Sequence, residues 1–489
     1  MRSVAAGIGA LLCAHTALAL PSDLYSAFTS PTQSWHARTA INFPNTTGFV
    51  KATQRWNTLN EPTYRVAVTP AIEEDVARAV SIARAIGLPF LATGGRHSST
   101  STLGELHNGL AIDLSGLNGV HVDAEAATLT VGGGTVFGDI LDSVYEAGFQ
   151  MPIGSCACPG MIGATVGGGI GRFQGVDGLM IDSLLSVRLV TADGQLIDVS
   201  EDSHADLFWA IRGAAPNFGI ITSATFRLNT PPNGGEIFTA DFLLPASSNA
   251  SYFDIIQSLD GTMPAELATI SIIEYNETAA EPQITVNWVY LGSEDRGREL
   301  VAPIFNLNPV TSSVSMVRYN TLIDTALSGL GVSICTPTSL AGYGVSYRTL
   351  DSKTYQEVFQ MLDDWYAQYP DGRASSVEMQ IFGPQAVQEI GNNATAYPWR
   401  DALGHSGISF SGTSAATQQA GEAMGEAVRA AYAATSGYDG LATYVSFGHG
   451  DETLSQVFGE NAPRLVELKK KWDPEDVFRF YHDLSTTPI

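Results

Sequence analysis

Basic residues are scarce in this chain. Lysine and arginine total 25 against 50 aspartates and glutamates, leaving a net charge of −25 over 489 residues. So acidic a surface repels phosphate backbones, and nucleic acid is not expected as a partner. Charge of either sign is sparse, at 15%, whereas apolar residues make up 44%. That balance excludes a disordered chain, and the length excludes a single small module; two or three domains with sizeable cores are expected. Cysteine is rarer still, with Cys13, Cys156, Cys158 and Cys335 the only four. Cys13 lies in an N-terminal apolar stretch, and three cysteines are too few for a disulfide framework. Cys156 and Cys158 form C-x-C without a second cysteine pair or nearby histidines, so no metal site is expected. Buried structural thiols and a chemical role stay open for them at this point. After the N-terminus there is no apolar run long enough to span a bilayer, no internal repeat and no low-complexity tract.

The first residues have the pattern of a targeting segment. Arg2 supplies a positive charge, Val4 to Leu20 is apolar and small, and Ala17-Leu18-Ala19 offers a cleavage site. Residues 1–19 are therefore expected to be a signal peptide whose removal leaves no membrane anchor. Four N-x-S/T sequons follow, at Asn45, Asn249, Asn276 and Asn393. Together these features lead us to expect a glycoprotein that is secreted or held in the secretory pathway.

Periodicity then divides the chain. Tyr64 to Val68 is short and β-branched, and from Glu73 the residues Val76, Ala79, Val80, Ala83 and Ile86 share one helical face. Glu73, Glu74 and Asp75 suit the start of that helix, and Gly87 suits its end. Strands are expected at Leu88 to Ala92, Leu110 to Leu114 and Thr128 to Val131, with a helix from Phe137 to Ala147. Leu185 to Thr191 and Gln195 to Val199 should form a hairpin about Asp193-Gly194. A strand at Ile220 to Leu228 precedes the breaker cluster Asn229 to Gly235, the best candidate for a domain boundary. From residue 236 to about 450, strands (Ala268 to Tyr275, Gln283 to Leu291) alternate with helices (Thr354 to Tyr369, Thr417 to Ala434). An antiparallel sheet covered by helices is expected there, an α+β arrangement. A last helix spans Asn461 to Lys471.

Two glycine-rich loops stand out. Gly94-Gly95-Arg96-His97-Ser98 follows a strand, and its backbone N–H groups can converge on an anion beside the Arg96 charge. The second runs from Gly154 through Cys156, Cys158, Gly160 and Gly163 to Gly167-Gly168-Gly169-Ile170-Gly171, and permits close backbone approach to a flat or phosphorylated ligand. Its spacing fails the G-x-G-x-x-G pattern, and no acidic residue follows at a strand end. A nicotinamide-linked Rossmann enzyme is disfavoured.

These loops, with Ile112-Asp113-Leu114, Thr191-Ala192-Asp193-Gly194, Leu207 to Gly213, Asn217 to Thr222 and Lys471-Trp472-Asp473-Pro474 through Arg479, occur in an order and spacing that resembles the berberine bridge enzyme-like FAD-linked oxidases. That family has the vanillyl-alcohol oxidase and p-cresol methylhydroxylase (PCMH) fold. The resemblance implies a two-domain α+β protein. Residues 20–230 would be a PCMH-type FAD-binding domain of two α/β subdomains, 236–450 an antiparallel-sheet substrate domain, and 451–489 a tail returning to the FAD domain. It implies FAD attached twice. His97 stands at the family histidine, and Cys156, eleven residues ahead of Gly167, at the family cysteine, with Cys158 in reserve and both cysteines otherwise unbridged. Gly94, Gly95, Arg96, His97 and Ser98 would hold the pyrophosphate. Gly160 and Gly163 fall on family glycines, Gly167, Gly168 and Gly169 would approach the ribityl chain and ring, and Ile221 the adenine. The reaction implied is hydride transfer from a small organic molecule to flavin, with O2 as acceptor. An oligosaccharide oxidase and a flavin-binding protein with little turnover are the alternatives.

The chain departs from the family where many members read Y-x-N-Y. Tyr444-Val445-Ser446-Phe447 ends in a residue without a hydroxyl, so the usual tyrosine base is missing. Tyr444, His405, Glu378 and Tyr397 are the candidate replacements. Ala164 stands where a histidine is common, and Pro159 at the position that gates oxygen. His482 is a candidate neighbour of the flavin ring, with a structural role preferred.

Overall fold

The computed structural model describes residues 21–489, and the expected signal peptide, residues 1–19, lies outside them. Among the described residues, sixteen strands form three sheets in chain order. The first contains β1 (Ala40–Asn42), β2 (Tyr64–Thr69), β3 (Phe90–Thr93) and β4 (Gly109–Asp113), in the order β1-β2-β4-β3. β4 pairs in parallel with both β2 and β3. Parallel strands need a crossover, and the helix Glu73–Ala85 carries the chain from β2 across to β3. This helix buries Val76, Ala79, Val80, Ile82 and Ala83. Gly87 follows it at φ +65°, where a Cβ would be unfavourable.

The second sheet is antiparallel and contains β5 (Val120–Asp123), β6 (Thr128–Gly132), β7 (Leu184–Val190), β8 (Leu196–Ser200) and β9 (Ile220–Arg227), in the order β5-β6-β9-β7-β8. The β7–β8 hairpin turns through Gly194 at φ +79°, as the Asp-Gly signal anticipates. The expected helix from Phe137 to Ala147 is shorter. It spans Leu141–Glu146, because the Phe137 and Gly138 N–H groups donate to the Pro159 and Ala157 carbonyls of the second glycine loop.

The third sheet contains β10 (Ile237–Pro245), β11 (Leu267–Asn276), β12 (Glu281–Tyr290), β13 (Thr311–Val317), β14 (Ala341–Tyr347), β15 (Ser376–Phe382) and β16 (Gly404–Phe410). It is antiparallel throughout, in the order β13-β10-β12-β11-β15-β16-β14. The helices Ser352–Gln368 and Ala415–Thr435 pack against it. The first starts where the Asp351 carboxylate accepts from Thr354 N, and buries Tyr355, Val358, Phe359, Leu362, Trp365 and Tyr366 at helical spacing. Each buried aliphatic side chain of this kind contributes about 1.5–3 kcal/mol. The sheet's other face looks toward the two glycine loops.

Two buried ion pairs join distant parts. Lys469, on the helix Ala462–Trp472, is 1% exposed. Its Nζ donates to Asp473 Oδ2 (2.7 Å), to the Phe478 carbonyl (2.6 Å) and to the Asn217 carbonyl (3.1 Å), fastening the tail to the second sheet's lobe. Arg400 grips Asp182 through two bonds of 3.0 and 2.8 Å, and the paired side chains are 1% and 3% exposed. Removing one partner strands a buried charge, which costs about 3–5 kcal/mol. Arg400→Met should accordingly lower the denaturation midpoint sharply while Arg464→Met, at an outer cation–π contact, changes it little. Equal midpoints for the two variants in urea melts would contradict this account.

Candidate functional site

The two glycine loops meet backbone against backbone. A Cβ on Gly95 would lie 2.7 Å from Gly160 Cα, and one on Gly160 would lie 2.5 Å from Gly95 N. A Cβ on Gly94 would stand 2.6 Å from the Gly133 carbonyl oxygen, and one on Gly133 2.7 Å from that of Ile221. Real side chains do not fit at such distances, so only glycine lets the end of β3, the end of β6 and β9 converge. The result is a cleft of about 510 Å³. Its walls come from both loops, from the third sheet, from residues 444–447 and from residues 478–481.

Of the residues expected to face a cofactor, Gly94, Gly95, Arg96, His97, Ser98, Cys156, Gly160, Gly163, Gly167 and Ile221 all line this cleft. Gly168 and Gly169 do not. They take φ values of +137° and +75° and turn into the protein, where a Cβ on Gly168 would strike the Tyr397 ring. Both residues shape the turn that follows Gly167. Arg96 is also tied down, its guanidinium donating to the Lys51 carbonyl at 2.5 Å and lying 3.9 Å from Asp113.

His97 stacks on Trp56, with ring centroids 5.0 Å apart and planes 19° from parallel. Trp56 N donates to the Arg96 carbonyl, and Arg55 Nη2 donates to the Ser98 carbonyl at 3.0 Å. Burial, aided by the Arg55 charge, holds His97 down at about 4, so its imidazole is neutral at ordinary pH. Neither Arg55 nor Trp56 was anticipated. They lie some forty residues upstream in an unpatterned stretch, and only the fold brings them to the loop.

The cysteines divide their roles. Cys158 forms a disulfide with Cys335 across a sequence separation of 177, while Cys156 is free. The expectation of unbridged cysteines is corrected, and so is the choice of Cys158 as a reserve nucleophile, since its sulfur is already bonded. The partner arrives on a segment before β14, where the Gly331 carbonyl also accepts from Ala157 N at 3.0 Å. Cys156 lines the cleft, and burial pushes its thiol up to about 12, with the Glu378 charge adding and the Arg172 charge opposing.

The four candidate bases separate as well. Glu378 and Tyr444 line the cleft; His405 and Tyr397 lie outside its walls. His405 is 2% exposed, with Nδ1 2.8 Å from Ser346 Oγ, and burial lowers it to about 3. Tyr397 is buried against Tyr444 with its hydroxyl pushed far up by burial. The Tyr444 hydroxyl accepts from Gly169 N at 3.2 Å and donates to the Ala164 carbonyl at 3.4 Å, so it braces the second loop. Ala164, Pro159 and Phe447 are wall residues, whereas His482 is buried beside Glu452 and outside the wall, a structural position.

Known proteins share both sequence and shape with this chain. The family described as FAD binding domain matches residues 64–200, and that described as berberine and berberine-like matches residues 443–483. The FAD-linked oxidoreductase fogF of Aspergillus ruber is 44% identical over 98% of this chain and 97% of its own. The FAD-linked oxidoreductase OXR1 of Pyricularia oryzae is 43% identical over 92% and 89%. Among solved structures, Physcomitrella patens BBE-like 1 superimposes with a TM-score of 0.81 at 22% identity, covering 92% of this chain and 98% of that one. The xylooligosaccharide oxidase of Myceliophthora thermophila gives 0.79 at 21%, covering 92% and 97%. A glucooligosaccharide oxidase of Acremonium strictum, described with 6-S-cysteinyl, 8α-N1-histidyl FAD, gives 0.80 at 22%, covering 92% and 98%.

Two measurements probe this geometry. Gly95→Ala should cost about 2–4 kcal/mol, because the methyl group must displace the Gly160 backbone; a urea melt matching wild type would refute the close contact. His405, whose folded value is depressed, contributes stability that is complete above about pH 6.5 and lost as pH falls toward 3, because the unfolded chain then binds a proton the folded one refuses. Thermal melts of His405→Gln should lose less on acidification over that interval than those of wild type.

Proposed function

Because this chain belongs to the berberine bridge enzyme-like FAD-linked oxidoreductases, we propose that it oxidises a small organic molecule, such as an alcohol, an amine or the carbon skeleton of a secondary metabolite, by hydride transfer to FAD bonded through both His97 and Cys156. Residues 20–230 form the FAD-binding domain in this reading, 236–450 the substrate domain, and 451–489 the returning tail. The residues present fit the cofactor. Gly94, Gly95, Gly133 and Gly160 present bare main chain to the cleft of about 510 Å³, where a long, flat dinucleotide can lie against it.

The observation that carries the reading is the state of two side chains on one wall. His97 is neutral and offers a ring nitrogen lone pair, and Cys156 is unbridged while its neighbour Cys158 is bonded elsewhere. Attachment through sulfur requires the thiolate. The buried Arg172 charge favours it and burial opposes it. FAD supplies a two-electron acceptor when bound. The chain's own part is to align the substrate against the third sheet, exclude water and remove one proton. O2 is the proposed final acceptor, with Pro159 in the wall where it would approach. The competing oligosaccharide oxidase reading has likeness of fold in its favour and nothing more.

Secretion completes the proposal. Asn45 and Asn393 are exposed and open to glycosylation, whereas the amides of Asn249 and Asn276 donate to Ala246 O and Gln283 Oε1 in the folded chain. Purified protein precipitated in acid should stay yellow and carry the added mass of FAD. His97→Ala and Cys156→Ser should each keep the cofactor through the remaining bond, and the double variant should release it on denaturation. Free FAD from wild type would overturn double attachment. A glycosidase that leaves the mass of the secreted protein unchanged would overturn glycosylation.

A further inference from the structure

Strand β15 turns Ser376, Glu378 and Gln380 toward the cleft, as alternate residues of a strand must. Glu378 stands opposite Gly407 of β16, and Gly407 opposite Gly344 of β14. The carboxylate thus ends a cross-strand row whose other two members have no side chain. Phe447 lies over those glycines: a Cβ on Gly344 would be 2.6 Å from Phe447 Cβ, and one on Gly407 3.9 Å from Phe447 Cε2. The residue that lacks the family hydroxyl therefore sits on the same row as a carboxylate that could replace it.

Glu378 is the freer of the two candidates that reach the cleft. Its Oε1 accepts from Gln380 Nε2 at 2.9 Å, and its Oε2 accepts no hydrogen bond from the described residues. The titratable groups acting on it are Arg172 and Cys156, both on the side of the second loop. Arg172 is held by Asn287 Oδ1 at 3.0 Å. The Tyr444 hydroxyl, by contrast, is engaged on both sides by backbone. A sugar, hydroxylated all round, would leave hydroxyls unpaired against Ile334, Leu340 and Phe447 of the cleft wall. An apolar skeleton with one hydroxyl suits both these side chains and the polar strip of β15.

We propose that Glu378 is the catalytic base of this enzyme, and that it takes the hydroxyl proton of a small alcohol with an apolar skeleton. The proposal rests on the reading of the cleft as the site of FAD-dependent oxidation. The carbinol C–H bond breaks and its hydrogen leaves with both electrons to FAD. The O–H bond breaks and its proton passes to Glu378 Oε2, while the C–O bond becomes C=O. One carbonyl product, a two-electron-reduced cofactor and one protonated carboxyl group account for the alcohol. Burial raises the Glu378 carboxyl above its ordinary range, so the deprotonated base is lost at a higher pH than for an exposed glutamate.

The test is anaerobic reduction of the flavin in the holoprotein, followed from about pH 5 to 9, with benzyl alcohol and cinnamyl alcohol as probes and cellobiose as the polyol control. The aryl alcohols should bleach wild type with a rate that rises with pH through the raised carboxyl and then levels. Glu378→Gln should slow bleaching by about 100- to 10,000-fold and abolish the rising limb, with flavin content and melting temperature unchanged. Glu378→Asp should retain the limb at a reduced rate. A Gln variant that keeps the wild-type rate, keeps the limb, or changes KM alone would overturn the base while leaving the oxidoreductase reading intact. Bleaching by cellobiose and not by the aryl alcohols would overturn the substrate class and leave hydride transfer standing. Bleaching by dithionite alone would overturn both the substrate class and the proposed oxidation of such molecules.

Discussion

The whole arrangement depends on one close approach, that of Gly95 to Gly160. Two loops more than sixty residues apart touch through main chain alone, and Gly133 extends the contact to β9. Without side chains the three segments form a continuous backbone surface, with N–H and carbonyl groups at its rim. A single methyl group would push the loops apart and misalign every residue that follows them. His97 comes two residues after Gly95 and Cys156 four before Gly160, so the chemistry-bearing side chains inherit their separation from this contact. The third sheet then supplies the opposite wall, and the tail, held by Lys469, closes the end.

The electrostatics of the cleft follow from burial more than from pairing. His97 loses affinity for protons because the charged form is poorly solvated, and Cys156 and Glu378 hold protons more tightly for the same reason. Arg172, buried and bonded to Asn287, is the counterweight near the acidic groups. The chain's large negative charge lies mostly on its solvated surface and plays no direct part. The site is shaped by a few desolvated groups inside an otherwise apolar and glycine-lined space.

Much of this was legible in the sequence because it is local. The helix Glu73–Ala85 and the β7–β8 hairpin follow from short-range periodicity and an Asp-Gly turn, and the glycine loops announce themselves by composition. The α+β class followed from strands alternating with helices, and the berberine-like family from ordered motifs. What stayed hidden is long-range. Nothing near Cys158 indicates a partner 177 residues away. The fit of Trp56 against His97 depends on how β2 and β3 are brought together. Gly168 and Gly169 resemble Gly167 in sequence, yet of the three only they take positive φ angles, a backbone choice that composition does not record. The helix after Phe137 starts late because its first N–H groups are claimed by another loop.

The Cys158–Cys335 bridge has a mechanical consequence. It fixes two Cα atoms at 5.8 Å, one in the loop that carries Cys156 and one on the approach to β14. A covalent staple at that corner ties the loop bearing Cys156 to the segment that leads into the third sheet. The free thiol two residues from the bridge therefore keeps its place relative to the sheet even where noncovalent contacts between the two loosen.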